Sequence, residues 1–168
     1  MLNLHNLKCP VCSKSATFYN SRLYCNTCCF EYFHNVASAS VAIIEHNDCI
    51  LLLKRAKEPM VGKLHLPGGF ISANESAEAA LIREVNEELG LSVNSISYLF
   101  SEPNKYQYSG ITYSIVDLFF KIFVDDIEKL TINNESSAYL WHNKYSVIKD
   151  DIAFISVANA LNKLGYLK

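Results

Sequence analysis

Three glutamates, Glu84, Glu87 and Glu88, crowd one segment of the run 69–91, GFISANESAEAALIREVNEELGL, where Arg83 is the only basic residue. If this run is helical, their side chains fall within an arc of about 100°. Like charges at i,i+3 and i,i+4 each cost a few tenths of a kcal/mol, so an ordinary solvated helix face would interleave lysines. Carboxylates crowded in this way suit a hard divalent cation. Magnesium takes oxygen ligands from one or two carboxylates and completes its shell with water and substrate phosphates. The residue types therefore point to metal-assisted chemistry on a phosphate.

A second constellation lies near the N-terminus. Cys9-Pro10-Val11-Cys12 and Cys25-Asn26-Thr27-Cys28 form two C-x2-C pairs twelve residues apart, with Cys29 adjoining. Four thiolates at this spacing suit tetrahedral zinc, the plain alternative being buried free thiols or a disulfide. The segment between the pairs alternates apolar residues around Asn20-Ser21, as a two-stranded hairpin does. The module reads as a zinc ribbon, too small for a core of its own and held together largely by its metal. Zinc-ribbon knuckles often carry glycine after the second cysteine; here Ser13 and Cys29 stand there, so either Cys28 or Cys29 could supply the fourth ligand. Cys49, inside an apolar run, reads as a core residue.

The elements that must position these residues are legible in outline. Residues 36–45 and 49–55 read as strands around the turn residues His46-Asn47-Asp48. A loop over 57–62 leads through an extended 63–66 into Pro67-Gly68-Gly69. The helix runs from Ser76, its N-cap, to Leu89, with Gly90 as the stop. Its apolar stripe is Leu81, Ile82, Val85 and Leu89, beside the glutamate arc, while Ala77 and Ala80 leave room for the glycines to approach. Further strands are expected at 96–101, 113–124 and 139–141, and a closing amphipathic helix at 151–164. The composition shift near residue 34 divides the chain into 1–34 and 35–168.

The chain has 168 residues, half of them hydrophobic and 19% charged, which supports a real core and excludes a disordered segment. A net charge of -2 gives no general pull toward nucleic acid or anionic membrane. No apolar run approaches the ~18 residues of a membrane span, and the first ten residues lack the form of a secretion signal. The expectation is a cytoplasmic protein, where cysteines stay reduced or bind metal. Leu2, Leu4 and Leu7 hint at partner burial, as in a homodimer.

The pattern Gly69-x5-Glu75-x7-Arg83-Glu84-Val85-x-Glu87-Glu88-x-Gly90-Leu91 resembles the Nudix hydrolase box, G-x5-E-x7-R-E-U-x-E-E-x-G-U with U apolar, at every specified position. Leu64-His65-Leu66-Pro67-Gly68 resembles the family's approach to the box, with Leu64 where tryptophan is common. The resemblance covers residue 36 to the C-terminus. It implies an α/β fold, an αβα sandwich on a mixed sheet, and hydrolysis of a nucleoside diphosphate linked to another group with magnesium or manganese. By motif position, Glu84, Glu87 and Glu88 would hold the metal with the Gly68 carbonyl. Arg83 would orient the glutamates, and Glu75 would pair with Arg83. Metals neutralise the phosphate oxygens and lower the pKa of the attacking water, whose proton a carboxylate must accept. Glu84 or Glu88 could serve, as could Glu135, which stands six residues before Trp141 as in a later segment of some relatives. Ala138 occupies the place of that segment's usual second acidic residue.

A zinc ribbon joined to such a domain is similar to the NADH pyrophosphatase branch. That branch carries SQPWPFP downstream of the box, where this chain has Ser101-Glu102-Pro103-Asn104-Lys105-Tyr106-Gln107. The substrate implied is a small nucleotide, ADP-ribose or a related ADP-linked compound, with NADH next. Tyr106 and Tyr108 are candidates to stack on its base and Arg55 to meet a phosphate. The competing reading is a non-catalytic nucleotide sensor whose ribbon contacts nucleic acid or protein. Only Lys8, Lys14 and Arg22 are basic in residues 1–35, which argues against a nucleic-acid footprint.

Overall fold

The structure, a computed structural model, describes residues 7–168, apart from the Tyr108 side chain. Leu2 and Leu4 lie outside the described residues. Strands β1 (Thr17–Tyr19) and β2 (Arg22–Tyr24) form the expected hairpin. Its two loop residues, Asn20 and Ser21, have φ of 47° and 59°, the left-handed pair that a tight two-residue hairpin demands. A third strand, β3 (Glu31–Phe33), pairs antiparallel with β2. It was not expected, because three residues are too few to show alternation.

The larger sheet mixes parallel and antiparallel pairing. Strand β4 (Ala37–His46) turns into β5 (Cys49–Arg55), and the two pair only at Glu45–Ile50 and His46–Cys49. Beyond that point they splay apart. Strand β6 (Leu64–His65) pairs with β5, and β7 (Gly68–Phe70) pairs with β4, each occupying one side of the fork. The sheet continues through β8 (Val93–Tyr108), β9 (Ile111–Val124) and β10 (Ser136–Asn143), in the order β10-β5-β4-β9-β8. The pairing of β4 with β9 is parallel.

Helices cover both faces. Helix α1 (Ala77–Leu89) packs Leu81, Val85 and Leu89 against Ala42, Ile44, Leu51, Leu53, Phe120 and Ile122. Helix α2 (Ile155–Lys163) packs Val157, Ala158 and Leu161 against Val41, Ile43, Ile50, Leu52 and Phe119. Successive residues of β4 and β5 thus feed opposite cores, which is why both strands read as continuous apolar runs. The result is the αβα sandwich with a mixed sheet expected from the resemblance.

Several boundaries moved for physical reasons. Strand β8 extends well past the expected 96–101 and runs through Pro103, which an edge strand tolerates. The closing helix starts at Ile155 rather than near Asp151. Ile152 bridges to Leu64 and the Ala153 N–H donates to the Leu64 carbonyl at 2.8 Å, so that stretch stays extended. Ile82, placed in the apolar stripe, is 45% exposed because it stands at the far edge of the buried arc. Cys49 is half-buried at the start of β5 rather than a core residue.

Phe119→Ala should lower stability by about 3–5 kcal/mol in a denaturant titration, whereas Ile82→Ala should change it by less than about 0.5 kcal/mol. Equal effects would contradict the two-core packing.

Candidate active site

The box residues converge where β4 and β5 part. Ser76 caps α1, its hydroxyl accepting from the Ala79 N–H at 3.1 Å, and Gly90 ends it in the left-handed conformation. The helix is tied to the sheet by Ser40, whose Oγ donates to the Ala77 carbonyl at 2.7 Å. Two glycines permit the close approach. Gly68 has φ of 138°, and a Cβ there would stand 2.1 Å from the Ser40 carbonyl oxygen. A Cβ on Gly69 would lie within 2.5 Å of the Glu84 carboxylate.

Arg83 organises the acidic side chains. Its Nε and Nη2 donate to the two oxygens of Glu75 at 2.9 and 3.0 Å, a fork-to-fork pair. Its Nη1 donates to Glu84 at 2.6 Å and to Glu87 at 3.3 Å, and Nη2 also reaches the Phe70 carbonyl at 3.1 Å. Glu88 belongs to a different partner: its Oε2 accepts from the Gly68 N–H at 2.9 Å. Glu88 is 6% exposed, and burial pushes its carboxyl up to about 8, with Glu84 and Glu135 adding repulsion. Burial also raises Glu84 despite Arg83, while the Arg83 guanidinium holds Glu75 below the usual carboxylate range. Glu87 is more than half exposed. These are all-oxygen donors, two of them disfavoured as anions in the absence of a cation, and a hard divalent ion fits that set.

A cavity of about 400 Å³ opens beside Gly68, Gly69 and Glu88. Glu135 also lines it. The loop carrying Glu135 is anchored to the end of α1, the N–H groups of Thr131 and Asn133 donating to the Leu89 and Glu88 carbonyls at 3.0 and 3.3 Å. Lys57 bridges Glu135 and Asn134 at 3.3 and 3.2 Å. Arg55 and Tyr106 line the same cavity, so the structure brings them together with the box. Arg55 also donates to the Pro59 carbonyl at 2.6 Å and lies over the Phe154 ring at 4.9 Å. Tyr106 meets Phe70 and Phe154, each at 5.9 Å between ring centroids. The Tyr108 side chain lies outside what is described.

Other cavity residues escaped the sequence reading: Lys57, His65, Asn104, Asp117 and Phe154. His65 is buried with Nε2 unpartnered among the described residues, and burial lowers its pKa to about 4, leaving the ring neutral. Asp117 did carry a signal: it is an acidic residue between inward-facing Ile115 and Phe119 on β9. Asn104 carried none, since the expected strand ended before it.

In the ribbon, the sulfurs of Cys9, Cys12, Cys25 and Cys28 all lie within 4.8 Å of one another, with Cys9–Cys28 at 3.6 Å and Cys12–Cys25 at 3.5 Å. Thiolates 2.3 Å from a tetrahedral zinc would stand roughly 3.8 Å apart, so the cluster fits that ion. Cys29 is outside it; with φ of 58° it takes the turn-back position, as Ser13 does at 60°. The Cys28 N–H helps pull the Cys25 thiol down to about 6.

The family model for the NUDIX domain matches residues 34–153. The chain is 40% identical over 78 residues to an ADP-ribose pyrophosphatase of Methanocaldococcus jannaschii, covering 45% of this chain and 46% of that protein. It is 31% identical over 110 residues to the NAD-capped RNA hydrolase NudC of Klebsiella pneumoniae, covering 65% of this chain and 42% of that protein. It therefore spans less than half the length of these relatives. Among solved structures, a NUDIX hydrolase from Nitrosomonas europaea superposes with a TM-score of 0.65 at 23% identity, over 94% of this chain and 89% of that one. A MutT NUDIX hydrolase from Burkholderia pseudomallei does so at 0.63 and 22%, over 77% and 98%. These likenesses speak for the fold. With the family model spanning well over half of the chain, the protein belongs to the Nudix hydrolase family.

Proposed function

We propose that this chain hydrolyses the pyrophosphate bond of an ADP-linked compound, with ADP-ribose as the leading substrate and NADH next. The observation that carries this reading is the placement of Glu84 against Gly69 and of Glu88 on the Gly68 amide, beside a cavity of about 400 Å³ that Gly68, Gly69 and Glu88 line. The relatives named for ADP-ribose and for NAD-capped RNA support an ADP-linked substrate. No helix among the described residues is long and apolar enough to cross a membrane.

Glu84, Glu87 and Glu88, with the Gly68 carbonyl, would hold magnesium or manganese. That ion supplies neutralisation of the phosphate oxygens and acidification of a water nucleophile. Arg83 keeps Glu84 and Glu87 oriented, and the Gly68 amide keeps Glu88 turned toward the cavity. Glu135 is our candidate for the proton acceptor: it lines the cavity and is bound neither by Arg83 nor by Gly68. Arg55 and Lys57 place positive charge on the cavity wall, where a diphosphate needs it. Tyr106 supplies an aromatic surface for the base, a role proposed for Tyr108 as well. Cys9, Cys12, Cys25 and Cys28 would hold zinc and thereby the ribbon, residues 1–34, as a unit distinct from 35–168.

Glu88→Gln should reduce metal-dependent release of AMP from ADP-ribose by at least about a hundredfold with the fold retained. Full turnover in that variant would refute the assignment. Glu135→Gln should lower kcat by about a hundredfold or more while metal affinity is kept; an unchanged kcat would remove Glu135 from the chemistry. A carboxyl whose pKa rises on folding contributes stability below its unfolded value, lost as pH rises through the folded one. Without added divalent ion, the parent should therefore lose stability between pH 4.5 and about 8. Glu88→Gln should melt higher than the parent at pH 9 and equally at pH 4. Purified protein should contain one equivalent of zinc, lost in Cys25→Ser and Cys28→Ser but kept in Cys29→Ser.

A further inference from the structure

At the other end of the cavity sits a polar cluster that none of the roles above uses. Asp117 is 4% exposed, on a strand position flanked by apolar neighbours. Its Oδ2 accepts from Asn104 Nδ2 at 2.8 Å and from Ser156 Oγ at 2.5 Å. The second contact ties the carboxyl to the first turn of α2, and burial raises that carboxyl above the usual range. Its other oxygen, Oδ1, has no hydrogen-bond partner among the described residues. Asn104 is similarly half-used. Its Oδ1 accepts from the Lys105 N–H at 2.8 Å, and one of its two Nδ2 hydrogens goes to Asp117. An acceptor on Asp117 and a donor on Asn104 therefore remain side by side in the cavity lining. Both residues line the cavity, so a ligand edge of matching pattern can take up the acceptor and the donor together.

Strand register says how far this pair lies from the metal-binding end. Asp117, Ala39 and Phe70 share one row across β9, β4 and β7. Gly68 is two strands over and two residues along, roughly 12 Å between Cα atoms. That separation leaves room for a nucleoside between the pair and a phosphate held near Gly68.

We propose that Asp117 and Asn104 select the base of the substrate, Asp117 Oδ1 accepting from the exocyclic amine of adenine and Asn104 Nδ2 donating to the adjacent ring nitrogen. Adenine presents a donor next to an acceptor, the complement of this pair, whereas the six-position of hypoxanthine or guanine presents an acceptor that would meet the carboxylate. Cytosine shares the pattern of adenine, but the fused rings of a purine bury more apolar surface against Ile115 and Phe154. The inference builds on the proposed hydrolysis of an ADP-linked substrate by naming the groups that recognise its adenine.

Binding of AMP, IMP and CMP to the full chain, measured by calorimetry, tests this without turnover. AMP should bind about tenfold or more tighter than IMP, and tighter than CMP. Asp117→Asn should erase or invert the AMP–IMP ratio, since its amide can present a donor where Oδ1 stood. Equal binding of AMP and IMP by the parent, or CMP binding as well as AMP, would overturn the proposal whether or not the variant folds. An unchanged ratio in folded Asp117→Asn would overturn it too. If AMP is preferred and the preference depends on Asp117, base selection stands even where ADP-ribose is not cleaved; that failure would fall on the hydrolysis alone.

Discussion

Acidic residues stacked on one helix face repel one another, and here a single guanidinium holds most of them in place. Arg83 contacts Glu75, Glu84 and Glu87 and the Phe70 carbonyl at once, each through a direction its planar fork provides. Lysine could not span these partners. Because Phe70 lies on β7 and Glu75 in the loop before α1, the same group ties strand, loop and helix together. The same fastening keeps Glu84 against Gly69.

Glu88 lies outside this grip, and its situation is different in kind. It is buried, raised well above a normal carboxyl and stabilised by one backbone amide. The thiols of the ribbon are the tight metal-ligand cluster among the described residues. The glutamates are drawn apart instead, Glu84 and Glu87 toward Arg83 and Glu88 toward Gly68. The four cysteines gather tightly in a segment without a core of its own, while the box glutamates are tethered from opposite sides of an opening.

The splayed hairpin of β4 and β5 links these features to a binding space. Had those strands paired along their whole length, the sheet would be closed where the cavity now lies. The short strands β6 and β7 satisfy the freed edges, and the extended stretch at Ile152–Ala153 docks onto Leu64. That docking delays the start of α2 and leaves Phe154 at the cavity wall. An aromatic residue that looked like part of a helix pattern thus lines the cavity.

Local signals sufficed for much of this molecule. The box spacing, the Ser76 cap, the Gly90 stop and the C-x2-C pairs each depend on residues near one another in the chain, and the helix and the hairpin at Asn20-Ser21 formed where those signals stood. A pairing of Arg83 with Glu75 was also implied by the resemblance, and the structure gives it two-pronged geometry. What only the tertiary structure decided was the company these residues keep. Lys57 meets Glu135, and Asn104, Asp117 and Ser156 assemble from two strands and a helix. Such meetings depend on strand register and on where a hairpin splays, and neither is written in the spacing of any one segment. Cys28 rather than Cys29 entered the thiol cluster for a similar reason, because backbone turning at Cys29 carries that residue away from the other sulfurs.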